Sequence, residues 1–224
     1  MASSMVFPTL SRLQDDIPAL RAKLLKSIRQ LGLVMFPAAS LLACIAPVAI
    51  VPLLGSKWAA YRDSFLVLSL LAVYAGNRTM LSIFFEGYKS IGMPYVVWWY
   101  NLAKLAVMAP LMYFAAQRGI LGLASVYIPV QILEVPIALY LANRLLGVSP
   151  TEVVRSASTP LITTLTMSAA VILAELALTR ELQLGDTPTL GVCLVVAIIT
   201  FFGTVFAIDR PIISEARATL VKGL

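Results

Sequence analysis

Along this chain, apolar stretches about as long as a lipid bilayer is thick alternate with short segments carrying charge, proline and glycine. Six such stretches stand out, at residues 31–54, 64–85, 94–116, 120–141, 161–178 and 188–208. Roughly 20 residues is the length at which an α-helix crosses the hydrocarbon core. Strands of a membrane β-barrel would be about half as long and would alternate polar with apolar positions, which these do not. The pattern predicts an all-α integral membrane protein with six transmembrane helices. The fifth is the shortest, and a start a few residues earlier is compatible with it.

Residues 1–30 follow a different pattern. Asp15-Asp16-Ile17-Pro18 is a helix-start signal, acidic residues just before a proline in the first turn. Beyond it Leu20, Leu24, Ile28 and Leu31 share one face, while Arg21, Lys23, Lys26 and Arg29 fill much of the remainder. Because it runs straight into a span, this stretch reads as a basic amphipathic helix lying along the membrane surface against anionic head groups. A plain solvated charged helix is the alternative. The opening ten residues have no basic residue and meet Pro8 before an apolar core can form, so no cleavable signal peptide is expected.

The cations fix an expected orientation. With the amino terminus inside and six spans, Arg12, Arg21, Lys23, Lys26, Arg29, Lys89, Arg144, Arg155, Arg210, Arg217 and Lys222 are cytoplasmic. Only Lys57, Arg62, Arg118 and Arg180 lie outside, and Arg78 and Lys104 fall within spans. The positive-inside rule then places both termini in the cytoplasm, with 1–30 as a cytoplasmic loop and helix and 209–224 as a cytoplasmic tail. The expected location is a membrane crossed several times, with membrane lipids as partners. The net charge of +6 is thereby explained without nucleic acid.

Composition narrows the chemistry further. Of 224 residues 60% are hydrophobic and 12% charged, with a mean hydropathy of +0.91, whereas a soluble chain carries roughly a quarter charged residues. Histidine is absent, which removes His-dependent triads and the usual His-bearing zinc and haem sites. Cys44 and Cys193 sit in separate apolar runs and read as small hydrophobes. With no paired carboxylates at acid-base spacing and no glycine-rich phosphate loop, an enzyme is not expected, nor a cofactor or metal. An embedded glycosyl or phosphosugar transferase is weakened by this and stays open.

Polar groups inside the membrane are costly unless they face a cavity or a partner. Tyr74, Asn77, Arg78 and Ser82 share one side of the second span; Tyr100, Asn101 and Lys104 share a face of the third; Tyr127, Gln131 and Glu134 form a stripe on the fourth; Thr164, Ser168 and Glu175 align on the fifth. One reading is a polar, partly cationic cavity. Arg78 and Lys104 would hold an anionic group such as phosphate, with Asn77, Asn101, Gln131 and Glu134 as further substrate contacts. The blander reading is internal neutralisation, the two cations bonded to Glu134 and Glu175 to hold the bundle together. Trp98-Trp99-Tyr100 could stack on sugar rings, whereas Trp58 and Tyr61 read as an interfacial aromatic belt. Pro37, Pro47 and Pro52 predict bending in the first span.

Two stretches carry a resemblance. Met5-Val6-Phe7-Pro8-Thr9-Leu10-Ser11-Arg12-Leu13-Gln14-Asp15-Asp16 resembles a loop motif of bacterial oligosaccharide flippases of the polysaccharide transporter family, within the superfamily that includes multidrug exporters and lipid II flippases. The run from Phe36-Pro37 through Ala46-Pro47 to Gly55-Ser56-Lys57-Trp58 is similar to that family's proline-rich span and Gly-x-x-Trp turn, and Gly119-Ile120-Leu121-Gly122-Leu123-Ala124 to a later turn. The resemblance implies part of a two-lobed helical bundle around a cationic cavity. Its implied activity is flipping undecaprenyl-pyrophosphate-linked oligosaccharide to the outer leaflet for lipopolysaccharide, exopolysaccharide or capsule assembly. Members have about twelve to fourteen spans in repeated halves, so six spans imply the carboxy-terminal part, completed by an amino-terminal lobe or a partner half. A multidrug-type exporter and a non-catalytic membrane assembly subunit are the alternatives.

Overall fold

A computed structural model describes residues 2–60 and 64–208. The described residues are almost wholly helical: α1 (Ala2–Ser11), α2 (Ile17–Leu54), a 3₁₀ turn (Ser56–Ala60), α3 (Ser64–Ser90), α4 (Pro94–Ala116), α5 (Gly119–Ser125), α6 (Tyr127–Leu146), α7 (Pro150–Leu176) and α8 (Asp186–Ile208). A π-turn, Ala177–Glu181, continues α7.

Helix α2 begins where the sequence placed a start. The Asp16 side chain accepts a hydrogen bond from the Ala19 amide at 3.0 Å, and proline occupies the first turn. It then runs unbroken for 38 residues past three prolines. At 1.5 Å per residue that is about 57 Å, far beyond the ~30 Å hydrocarbon core. The basic segment and the first span are thus one continuous helix. Leu20, Leu24 and Ile28, the face expected to meet lipid, are buried against Leu81, Phe84 and Tyr88 of α3, Ala142 and Leu146 of α6, and Val153 of α7. An amphipathic pattern specifies an apolar neighbour but does not say whether that neighbour is lipid or protein.

Helix α2 is the axis of the bundle. Gly76 of α3 faces Ala39, and Ser69 donates to the Ala43 carbonyl at 2.8 Å, so α3 runs antiparallel to α2. Helix α7 runs parallel to it, Gly32 meeting Pro160 and Ser40 meeting Ser168 with hydroxyl oxygens 2.6 Å apart. Small residues at these crossings let backbones approach where no water-driven term exists to hold them. At the charged end, the Arg21 guanidinium bonds both Glu152 oxygens at 3.1 and 3.3 Å, tying α2 to the start of α7. Helix α8 packs on α7 and the far half of α2 through Ile45, Ala49, Met167, Val171, Cys193 and Ala197.

Helices α3 and α6 run parallel: Tyr74, in the first half of α3, lies on Tyr127 at the start of α6, and Gly87 meets Leu146 near both ends. Helix α4 runs back between them, Tyr100 against Phe85 and Lys104 against Tyr74.

Several boundaries differ from the sequence reading. The fourth span is split at Val126 into α5 and α6, and α6 continues to Leu146. There Gly147 (φ +64°) takes the left-handed conformation, its amide and that of Val148 reaching back to Asn143 and Ala142 carbonyls. Two residues later Ser149 and Glu152 form a reciprocal capping box that starts α7 eleven residues before the expected span. Hydropathy marks membrane depth, whereas these caps mark helix ends.

Among the described residues, five helical segments are long and apolar enough to cross a membrane: Ile17–Leu54, Phe65–Ser90, Gly119–Leu146, Pro150–Glu181 and Asp186–Ile208. Helix α4 has the length, but Trp98, Trp99, Tyr100, Asn101 and Lys104 dilute its hydropathy. It is also loosely held, burying none of its residues. The expectations for Tyr61, Arg62 and the 209–224 tail lie outside the described residues.

The α4–α5 turn depends on glycine at two positions, Gly119 through its left-handed backbone (φ +73°) and Gly122 through close approach. A Cβ on Gly122 would sit 2.5 Å from the Ala115 carbonyl oxygen and 2.7 Å from Arg118 Cβ. Neither atom can swing aside, so Gly122→Ala is expected to cost about 1–3 kcal/mol by overpacking. Gly185→Ala, with open space around it, should change stability little. Thermal unfolding read by a thiol-reactive dye on Cys44 and Cys193 compares the two.

Candidate functional site

The sequence marked four polar stripes, and the structure brings three of them together. The parallel placement of α3 and α6 puts Arg78 beside Glu134, and the returning α4 inserts Lys104 and Tyr100 over the same carboxylate. Glu134 Oε1 accepts from Lys104 Nζ at 2.8 Å and from Tyr100 OH at 3.2 Å, and Arg78 Nη1 lies 3.8 Å away. Lys104 also donates to Tyr74 OH at 2.6 Å. Its Nζ is 5.0 Å from the Tyr74 ring centre, which places it at the phenol rim, where the hydrogen bond dominates over any cation–π term. The Arg78 guanidinium sits 5.4 Å from the Phe85 ring centre.

The knot is incompletely satisfied in a specific way. Both hydrogen-bond donors, Lys104 and Tyr100, converge on Oε1, while Glu134 Oε2 is buried with no hydrogen-bond partner. Arg78 Nη1 is likewise buried and too far from Oε1 to bond it. Two basic side chains therefore share one carboxylate that bonds only one of them. Lys104 and Glu134 are largely buried while the Arg78 side chain keeps 36% of its surface exposed, so the second cation stands at the rim of the knot, where an anionic ligand can reach it.

Beside the knot, between α4 and α6, lies a cavity of about 370 Å³. Lys104 and Glu134 are among its lining residues, with Val96, Trp99, Val107, Leu133, Ile137 and Leu141 as apolar walls. A second cavity of about 300 Å³, between α2, α7 and α8, is lined by Leu33, Pro37, Met167, Phe201 and other groups without a polar side chain.

The remaining candidates take other places. Asn101 is exposed and donates to the Val97 carbonyl of its own helix at 2.8 Å. Asn77 and Gln131 are half-buried near the knot and outside its hydrogen bonds. The fifth-span stripe turns toward α2 instead: Thr164 and Ser168 donate to carbonyls one turn back, and Ser168 meets Ser40. Glu175 makes no ion pair among the described residues, so the cations neutralise against Glu134 and not against Glu175. Trp98 is exposed and edge-on to Trp99; Trp99, not Trp98, reaches the cavity. Tyr74 and Tyr100 belong to the knot, although spacing alone did not single them out as substrate contacts. Their signal was present, since Tyr74 and Tyr100 each lie four residues before a cation on the same helix face. Phe85 had no such signal. Among the described residues no group of three or more Cys, Asp or Glu is placed to hold a metal ion.

Residues 1–63 match a family model described as polysaccharide biosynthesis protein. The match supports a role in polysaccharide biosynthesis or export. It spans α1, α2 and the turn after them, and contains the two longer stretches on which the sequence resemblance rested; Gly119–Ala124 and the Glu134 knot lie beyond it. No curated protein and no solved structure matches the chain. With five apolar helices of spanning length among the described residues, the chain has the character of a multi-pass membrane protein, and its first 63 residues are similar to that family.

Proposed function

We propose that this chain is the carboxy-terminal part of a transporter that flips undecaprenyl-pyrophosphate-linked oligosaccharide across the bacterial inner membrane. Arg78 and Lys104 receive the pyrophosphate, and no covalent bond is made or broken. The observation that carries the reading is the excess of cation over anion in the buried knot, where Arg78 Nη1 lacks an acceptor, next to an apolar cavity. A lipid pyrophosphate offers both the acceptor oxygens and the apolar chain.

Six crossings, with both ends of the chain on the cytoplasmic side, belong to this reading. Their support is the register. Helices α3 and α6 run in the same direction, so the chain must return the full height of the bundle between them, and α4 is the segment that does so. The site is then one wall of a cavity completed by an amino-terminal lobe or partner half. The surplus positive charge counts against a multidrug-type exporter of cations. One observation favours an assembly subunit: Lys104 is already occupied by Glu134 and Tyr74, as in a purely structural clasp.

The test is binding of farnesyl pyrophosphate to the full chain in lipid nanodiscs. Replacing Arg78 and Lys104 together by Gln is expected to weaken binding about tenfold or more, since each charge-assisted hydrogen bond is worth about 1.5–3 kcal/mol. Binding of the uncharged prenol should not change. If the double variant loses stability yet binds the pyrophosphate as before, the assembly-subunit reading replaces the transporter reading.

A further inference from the structure

We propose that Glu134 is an internal stand-in for the substrate's anionic group, occupying the cations when the site is empty and yielding them when a phosphate arrives. The inference rests on the reading above and deepens it. Glu134 meets Arg78 from α3 and Tyr100 and Lys104 from α4, and Tyr74 of α3, stacked on Tyr127, closes the ring through its bond to Lys104. Within this ring the carboxylate sits asymmetrically. Oε1 takes every contact, Oε2 is buried without a partner, and Arg78 Nη1 is left at 3.8 Å. A purely structural clasp gains most by spreading its donors over both oxygens, as Arg21 does when it bonds both oxygens of Glu152. The Glu134 arrangement leaves one acceptor and one donor unused at the same place.

A phosphate has more oxygens than a carboxylate and can meet Arg78 and Lys104 together. Between substrates, two uncompensated cations at membrane depth would be costly. A carboxylate that bonded both firmly would instead shut the substrate out. A single carboxylate held mainly by Lys104 lies between these limits. It keeps the empty site near neutrality, lowers substrate affinity by competing for Lys104, and re-forms its pair as the substrate leaves. Lys104 is mounted on α4, none of whose residues is fully buried.

The experiment compares farnesyl pyrophosphate binding by the wild-type chain, Glu134→Gln and the Arg78/Lys104 double variant in nanodiscs, with dye-monitored unfolding as the control for folding. Removing the competitor should tighten binding about three- to tenfold, the range set by one interhelical polar contact in a membrane. A structural clasp predicts the opposite, since losing it loosens the site. Unchanged or weaker binding by Glu134→Gln, with the double variant still defective, overturns the stand-in and leaves the anion site standing. Equal binding by the wild-type and the double variant overturns both. Should Glu134→Gln not fold, Glu134→Asp decides in the same way, because its shorter side chain draws the carboxylate back from Lys104. Binding tighter than wild type supports the proposal, and equal or weaker binding sinks it.

Discussion

Leu24→Ala should destabilise the chain by about 2–5 kcal/mol, the range for truncating a fully buried leucine. Leu24 is completely buried in the cluster joining α1, α2, α3, α6 and α7. It lies in the first third of a helix about 57 Å long, of which only ~30 Å fits within hydrocarbon. The cations Arg21, Lys23, Lys26 and Arg29 make this the end expected to stand at the membrane surface. Water drives its packing, so the lost transfer term adds to the cavity left behind. The measurement is the midpoint of thermal unfolding in detergent, read by thiol-dye labelling, since Cys193 is fully buried. The same substitution separates the two accounts of the basic segment. A helix lying free on lipid would release more readily from anionic vesicles after Leu24→Ala, with the rest of the bundle melting as before. A helix clamped in the protein core brings the whole midpoint down.

Gly76→Leu should be at least as damaging, for a different physical reason. Gly76 lies where α3 crosses the middle of α2, and a Cβ there would be 2.8 Å from Ala39 Cβ. Ala39 has no rotatable side chain to move away, so the helices themselves must part. Overpacking of this kind costs about 1–3 kcal/mol where neighbours relax; a leucine adds three further heavy atoms at a crossing that cannot relax without losing the Ser69–Ala43 hydrogen bond. Inside the membrane no hydrophobic term pulls the helices back together, because lipid tails are as apolar as leucine. Gly191→Leu on α8 is the matched control, since a Cβ at that position would have nothing within 4 Å. The expected result is a large fall in the unfolding midpoint for Gly76→Leu and little change for Gly191→Leu. Equal midpoints would show that the α2–α3 crossing is looser than this packing.

The two substitutions mark what was legible in the linear pattern. That Leu24 faces something apolar followed from its spacing with Leu20 and Ile28; that the something is Phe84, Leu146 and Val153 did not. Gly76 carried no signal at all, because close approach is a property of two helices and only one is visible in a local stretch of sequence. The candidate site divides in the same manner. Arg78, Lys104 and Glu134 were each conspicuous as charges within apolar runs, since such charges are rare without a reason. Asn101 looked equivalent to Lys104 by spacing and is not, because its amide bonds the carbonyl one turn back on its own helix. Caps were written in the sequence as Gly147 and as Ser149 with Glu152, and hydropathy spans passed over both.

By itself the sequence determined the solvent and the material of this protein: helices, because a backbone in hydrocarbon must satisfy its own hydrogen bonds, and which charges would be stranded among them. It also determined the faces, since positions three and four apart share one side of a helix. Tertiary structure alone decided the partners. The parallel run of α3 and α6 set Arg78 beside Glu134, the return of α4 brought in Lys104 and Tyr100, and the fifth-span stripe was turned away to α2. Periodicity fixes the angle of a residue about its own axis, whereas pairing depends on the direction, height and rotation of a second helix, and those are set by the packing of the whole bundle.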